Sequence, residues 1–126
     1  MNGMDEFLNY KLNRIVWITA LENKNVKNAV ELYEKYILEL EKFKNSVSPN
    51  YIEDEISISK CIYLNYLLEL GEQFFNEKDY FKSAFCFTNY LKYSKNEQIL
   101  FEGKYENGKR KEGKLYYFNI YNYLYK

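Results

Sequence analysis

Residues 64–95, LNYLLELGEQFFNEKDYFKSAFCFTNYLKYSK, carry the pattern that decides the fold. Apolar residues recur every three or four positions in both halves of this stretch, which predicts two amphipathic helices. The polar segment 76–78 separates the halves, and Asp79 stands where it can cap the second helix. That helix is predicted to reach Ser94. The residues predicted for its inner face are Tyr80, Ala84, Phe87 and Leu91.

This stretch resembles a tetratricopeptide repeat. The residues that carry the resemblance are Leu70-Gly71, Phe74, Asp79-Tyr80, Ser83-Ala84 and Phe87. In such repeats the glycine and the small pair let two antiparallel helices approach closely, and the aromatic side chains fill the gap. The sequence departs from the repeat at Tyr90, where a small residue is expected, and at Lys95, where a proline is expected. The resemblance implies a groove between helices that binds peptides or partner surfaces.

Helices are also predicted before this hairpin. The first covers 5–21, with Asp5 as its cap, and its apolar stripe is Phe7, Leu8, Leu12, Ile15, Val16 and Thr19. The second covers 25–44, with Asn25 as its cap, and its stripe is Val26, Ala29, Val30, Tyr33, Ile37 and Leu40. Ser48-Pro49 marks the start of a long third helix that reaches Asn76, because proline is favoured at the first helical position. The sequence therefore predicts a mainly α fold of antiparallel helical hairpins, with about four helices.

Residues 96–126 differ in character from the helical part. The stretch 99–109, ILFEGKYENGK, places an Asn-Gly pair behind a partly alternating aromatic run, which is typical of a β-hairpin. The segment 101–119 also resembles a MORN-type repeat. The residues that carry this resemblance are Phe101, Glu102, Gly103, Tyr105, Asn107, Gly108, Lys109, Gly113, Tyr116 and Tyr117. We predict a single domain over 1–126, with a helical bundle over 1–95 and a small β-hairpin extension over 96–126. The alternative is an all-α chain with a fifth and sixth helix.

The residue composition argues against most catalytic chemistry. The chain contains no histidine, so the usual general base near neutral pH and the commonest zinc ligand are absent. The segment 108–114 matches the first part of a phosphate-binding loop, but Leu115 replaces the hydroxyl residue that would bind magnesium. Cys61 and Cys86 lie in apolar helical patterns and are predicted to be buried free thiols, with a disulfide as the alternative. We expect no cofactor and no metal.

Charge is distributed unevenly along a chain whose formal net charge is zero. Residues 50–77 are acidic, and the compensating positive charge follows in 78–126. The candidate partner-binding residues are Glu53, Asp54, Glu55, Glu69, Glu72, Tyr105, Lys109, Arg110, Lys111, Tyr116 and Tyr117. Paired carboxylates could serve acid–base catalysis or bind a cation. A solvated helix surface, and for residues 53–55 the positive end of a helix dipole, explain them as well.

These observations predict a cytoplasmic, non-enzymatic protein-interaction module. The expectation is an adaptor or an immunity or antitoxin-like protein that neutralises a partner, a role that the MORN-type resemblance implies. One alternative is a phage or mobile-element inhibitor, similar to an anti-CRISPR protein, whose acidic residues mimic nucleic acid on a basic nuclease. Another is weak nucleic-acid binding through the basic aromatic tail, although the glutamates there oppose it. No signal peptide is expected, because residues 5 and 6 are acidic, and no membrane-spanning segment is expected, because the longest apolar run is short. An exposed C-terminal edge strand would allow a homodimer.

Overall fold

The computed structural model describes residues 3–94, which form five α-helices and one short 3-10 helix. The elements are α1 (Gly3–Lys11), α2 (Arg14–Glu22), α3 (Val26–Glu41), the 3-10 helix (Lys42–Asn45), α4 (Pro49–Asn76) and α5 (Tyr80–Ser94). The mainly helical fold predicted from the sequence is confirmed for these residues, among which no strand occurs. The predicted hairpin over 96–126 lies outside the described range.

The chain divides into two compact units, Met1–Tyr66 and Leu67–Lys126, with the division inside α4. The first unit contains α1, α2, α3, the 3-10 helix and the first part of α4. The described part of the second unit contains the rest of α4 and α5.

Aromatic rings dominate the core of the first unit. Tyr33 of α3 and Tyr63 of α4 stack with ring centroids 3.7 Å apart and an interplanar angle of 4°. Trp17 of α2 meets both rings edge-on, at 5.1 Å from Tyr33 and 6.1 Å from Tyr63. Edge-to-face pairs such as those of Trp17 add about 0.5–1.5 kcal/mol each to the free energy gained by burial. The aromatic side chains therefore fix α2, α3 and α4 against one another.

The described part of the second unit is a helical hairpin whose close packing depends on one glycine. A Cβ atom added at Gly71 would lie 2.6 Å from the ring of Phe87, so only glycine leaves room for that ring against α4. The Ser83 hydroxyl donates a hydrogen bond to the Gly71 carbonyl oxygen at 2.8 Å. The sequence predicted this close approach. Phe87 is buried as predicted, but Tyr80 is 47% exposed, so the predicted inner face is wrong at that residue. The buried residues of α5 are Ser83, Cys86, Phe87, Tyr90 and Ser94.

The α2–α3 and α4–α5 connections use the same turn. Lys24 and Lys78 both adopt positive φ angles, 61° and 65°. In the first turn the Asn25 amide donates to the Ala20 carbonyl at 2.9 Å, and in the second the Asp79 amide donates to the Phe74 carbonyl at 2.8 Å. Each of these hydrogen bonds spans six residues and pairs a carbonyl group that the helix end would otherwise leave unpaired. Each three-residue connection thus ends one helix and begins the next.

The helix starts were predicted with mixed success. Pro49 is the first residue of α4, as its fixed φ angle favours. The Asp79 side chain accepts a hydrogen bond from the Lys82 amide at 3.2 Å, which confirms the predicted cap. Asn25 precedes α3, but its side chain makes no capping hydrogen bond. The single helix predicted over 5–21 is wrong, because α1 ends at Lys11 and α2 begins at Arg14.

Both cysteines are free. Cys86 is buried as predicted, whereas Cys61 is exposed, so the prediction of a buried thiol is wrong for Cys61. Its place on α4 faces away from the buried positions Ser59 and Tyr63.

Candidate functional site

The α1 and α2 helices follow one another with only Leu12 and Asn13 between them. The Leu12 amide donates to the Asn9 carbonyl at 3.2 Å and the Asn13 amide to the Tyr10 carbonyl at 2.9 Å. Hydrogen bonds of this i to i−3 type tighten the chain for one turn without separating the two helices. Because α2 packs against α3, one side of this α1–α2 segment is covered and the other is open to solvent.

Four aliphatic side chains lie on the open side, which we call the outward face. It consists of Leu8, Leu12, Ile15 and Val16, whose exposed fractions are 50%, 70%, 60% and 46%. The sequence predicted that these residues, with Phe7 and Thr19, form the buried stripe of one helix. Of that predicted stripe, only Phe7 is buried.

The covered side holds the larger aromatic side chains and two cations. Phe7, Trp17 and Leu21 are at most 1% exposed. Lys11 and Arg14 retain side-chain exposures of 36% and 27% and reach towards α4. On this segment Phe7, Trp17 and Leu21 are therefore buried and the two cations are partly buried, whereas the four aliphatic residues that the apolar stripe placed inside are exposed.

These two cations face a buried carboxylate on α4. Glu55 is 2% exposed, and its two oxygens accept hydrogen bonds from three different helices. Arg14 of α2 donates from Nε to Oε2 at 3.0 Å and also from Nη2 to Oε1. The Tyr36 hydroxyl of α3 donates to Oε2 at 2.7 Å. Ser59, one turn further along α4, donates to Oε2 at 2.7 Å.

Lys11 at the end of α1 completes the arrangement, with Nζ 3.9 Å from Oε1. We call Glu55, Arg14, Tyr36, Ser59 and Lys11 the Glu55 cluster. The cluster joins all four α-helices of the first unit through one carboxylate. The Tyr36 hydroxyl also lies 3.4 Å from the Lys11 carbonyl oxygen, so the cluster stands at the break between α1 and α2.

The electrostatics of the cluster keep the carboxylate ionised. Burial alone would raise the pKa of Glu55, but the hydrogen bonds from Arg14, Ser59 and Tyr36 outweigh burial, and the pKa is lowered. Burial and the hydrogen bond to Glu55 raise the pKa of Tyr36, which stays a neutral donor. The pKa of Arg14 is raised because the hydrogen bond and charge of Glu55 outweigh its own burial.

A carboxylate in this state is unsuited to proton transfer. Its oxygens are occupied by donors, its pKa is lowered, and it is closed off from solvent. A general base needs a pKa near the operating pH and access to substrate. The Glu55 cluster contacts the α1–α2 segment on its covered side, and the outward face is the side of that segment that is open to solvent.

The structure separates the residues predicted to bind a partner. Glu53 and Asp54 are exposed next to each other on α4, but Glu55 points into the core and is unavailable to a partner. Glu69 is exposed and Glu72 is half-buried, and both belong to the second unit. The six remaining candidates lie outside the described residues, namely Tyr105, Lys109, Arg110, Lys111, Tyr116 and Tyr117.

Sequence reasoning missed Arg14 and the outward face. A signal was present, since Arg14 is one of only two arginines in the chain and interrupts an apolar segment. An arginine at such a position calls for a buried anion. The spacing of Glu55 and Ser59 among buried residues of α4 would have identified that anion.

Two further observations apply to residues 3–94. No group of three or more histidine, cysteine or acidic side chains there is arranged to hold a metal ion. None of the helices in that range combines the length and apolar character needed to cross a bilayer.

Comparison with known protein families, with curated protein sequences and with solved structures finds no significant match to this chain.

Proposed function

We propose that the chain is a non-enzymatic protein-interaction module whose contact surface is the outward face of α1 and α2. The observation that carries this proposal is the exposure of four large aliphatic side chains along one side of a short segment. Single exposed apolar residues are common on protein surfaces, whereas contiguous apolar patches mark interaction sites.

The arrangement of the rest of the segment supports the proposal. The opposite orientation of the segment would bury these four residues. The fold instead places the partly buried Arg14 side chain against Glu55. The aliphatic residues are also held on helices packed against a rigid aromatic core, through contacts such as Trp17 on Tyr33. A preorganised surface of this kind loses little conformational entropy on binding.

The non-enzymatic part of the proposal is supported by the chemistry of the chain. The sequence has no histidine, and the one buried carboxylate of the first unit is saturated by its donors. The chain therefore lacks an imidazole base, and the Glu55 carboxylate cannot act as a general base near neutral pH.

The experiment compares two variants as baits in proximity labelling within cells. Leu12→Gln/Ile15→Gln removes the centre of the outward face, and Leu38→Gln is the matched control because Leu38 is 65% exposed elsewhere, on α3. We expect a partner that the wild type and Leu38→Gln label equally and that the double variant loses. The purified partner should bind the double variant at least about tenfold more weakly, as for a central interface residue. Equal labelling and equal affinity for all three baits would refute the proposal.

The class of partner follows from the sequence expectations and stays a prediction. A toxin or a nuclease would fit the antitoxin-like and anti-CRISPR-like hypotheses. Within the acidic stretch 50–77, the members in the first unit that are exposed for nucleic-acid mimicry are Glu53 and Asp54, since Glu55 is internal. Binding to a basic nuclease that survives rising salt unchanged would speak against mimicry by those charges.

A further inference from the structure

We infer that Glu55 is a positioning residue, which selects the side of the α1–α2 segment that faces solvent and so creates the outward face. The inference depends on a feature of the segment itself. The segment has two apolar sides, and each of them could pack against the neighbouring helices.

Both sides of the segment carry large apolar residues. The covered side contributes Phe7, Trp17 and Leu21, and the outward face contributes four aliphatic residues. Helical periodicity alone favours the aliphatic set, because its members follow one another at spacings of four, three and one. Apolar burial would stabilise the segment with either side covered, and the ring contacts of Trp17 with Tyr33 and Tyr63 add to the stability of the observed side.

Charge resolves the choice. Arg14 lies on the covered side and makes two hydrogen bonds to Glu55, while Lys11 adds a second positive charge 3.9 Å away. Rotating the segment to bury the outward face would carry both cations away from α4. Glu55 would then remain in the core without a counter-charge, which is far more costly than the exchange of one apolar side for the other.

The remaining members of the cluster sharpen this selection. Tyr36 and Ser59 are buried and aim their hydroxyl groups at Oε2 of Glu55, each at 2.7 Å. They hold the carboxylate where Arg14 must reach it. Tyr36 also contacts the carbonyl of Lys11 at 3.4 Å, so the point at which the chain breaks between α1 and α2 is fixed as well.

A positioning role differs from a purely stabilising one in a measurable way. Replacing a buried ion pair by apolar residues of similar volume often leaves stability unchanged or raises it. An Arg14→Met/Glu55→Leu variant is therefore expected to stay folded while losing the preference for one side. The inference rests on the proposed function only where it calls the outward face a binding surface.

The test measures orientation directly, without any partner. In a Cys61→Ser background, which removes the exposed native thiol, single cysteines are placed on α2 at Ile15, 60% exposed, or at Ala20, 8% exposed. Their reaction rates with a thiol reagent report the two sides of the same helix. The matched control is Lys35→Met/Glu53→Leu, which makes the same apolar replacements at two exposed positions.

With Glu55 and Arg14 intact, and equally in the control, we expect the cysteine at 15 to react at least about tenfold faster than the cysteine at 20. In Arg14→Met/Glu55→Leu the cysteine at 20 should react about tenfold faster than it does with Arg14 and Glu55 intact. The cysteine at 15 should react at least about twofold more slowly, because both orientations become populated. Simple loosening of the fold would speed the reaction of the cysteine at 20 without slowing that of the cysteine at 15.

A second variant, Glu55→Gln, keeps the shape of the side chain and removes only its charge, and it should shift the two rates in the same directions. Unchanged rates in folded forms of both variants would overturn the inference. Failure of both variants to fold would also overturn it, since the ion pair would then supply stability and not selection. If the thiol reaction rates shift as expected but all baits label the partner equally in cells, the positioning role stands and only the proposed function is refuted.

Discussion

Glu55 shows how one side chain organises a fold through partners that are distant in sequence. Arg14 precedes it by 41 residues and Tyr36 by 19, yet both donate hydrogen bonds to its carboxylate. In the sequence Glu55 stands beside Glu53 and Asp54 and resembles another acid at the surface of a helix. Its burial makes each donor important, because a hydrogen bond lost inside the protein leaves a polar group without water or a partner.

Removing the Tyr36 hydroxyl should be costly. We expect Tyr36→Phe to lower the free energy of unfolding by about 1.5–3 kcal/mol, the range for hydrogen bonds to charged groups. Urea unfolding followed by the fluorescence of Trp17, the only tryptophan, measures the change. Tyr51→Phe is the control, since Tyr51 is 54% exposed, and it should stay within about 0.5 kcal/mol of the wild type. An equal effect of the two variants would contradict this account of the cluster.

The lowered pKa of Glu55 makes stability depend on pH in a defined direction. The folded state holds this pKa below its ordinary value of 4.5, because the hydrogen bonds from Arg14, Ser59 and Tyr36 outweigh the effect of burial. The unfolded state therefore binds more protons on acidification. The stabilising contribution is complete above the unfolded pKa and is lost as the pH falls through the folded pKa.

Urea titrations of the wild type and Glu55→Gln at pH 7 and at about pH 3 test this dependence. The wild type should be the more stable protein at pH 7, and the difference should shrink at the lower pH. Glu53→Gln, which changes an exposed acid two residues away, should show no such convergence. A difference between wild type and Glu55→Gln that is the same at both pH values would show that the carboxylate charge does not contribute.

At the scale of elements, the two helical hairpins end their first helices in the same way. Lys24 and Lys78 occupy the left-handed position of otherwise equivalent turns. That position normally belongs to glycine, since a Cβ atom is strained there. The residue before the next helix is Asn25 in one turn and Asp79 in the other, and both short polar side chains are suited to helix starts.

Replacing Lys78 by glycine should stabilise the α4–α5 hairpin. We expect Lys78→Gly to raise the free energy of unfolding by about 0.5–1 kcal/mol, because the relief of left-handed strain exceeds the added entropy of the unfolded chain. Circular dichroism during urea unfolding gives the change. Lys35→Gly, at an exposed position inside α3, should instead lose about 1 kcal/mol. Destabilisation by both substitutions would mean that the turn at Lys78 is not strained.

At the scale of the whole molecule, the reactivity of the two cysteines measures how often the described part opens to solvent. Cys61 is exposed, whereas Cys86 is fully buried. Burial, with a smaller contribution from Asp79, raises the pKa of Cys86 to about 12. The thiolate is the reactive form of cysteine, so Cys86 is inert until the hairpin that surrounds it opens.

An aromatic disulfide reagent at about pH 8 should therefore react quickly with one thiol per chain and with the second only on unfolding. Cys61→Ser should abolish the fast reaction and leave the slow one. The slow rate in denaturant-free buffer measures opening of the second unit. Two fast equivalents in native protein, or a fast reaction that persists in Cys61→Ser, would contradict the burial of Cys86.

The candidate site was harder to predict from the sequence than the fold. The helix starts at Pro49 and after Asp79 depend on residues close to one another in the sequence, so they could be predicted from those residues. The outward face depends on a pairing between Arg14 and Glu55 that no local pattern reveals. Periodicity placed Leu12 and Ile15 in a buried stripe because it measures which residues share a side, not which side is covered.

By itself the sequence indicated, to within a few residues, where α3, α4 and α5 lie, that a turn separates α4 from α5, and that Gly71 permits a close approach of two helices, since those outcomes follow from neighbouring residues. Tertiary structure alone decided which side of α1 and α2 meets solvent. The physical reason is that burying a carboxylate requires cations beside it, and the cations available to Glu55 are on the side opposite the aliphatic residues.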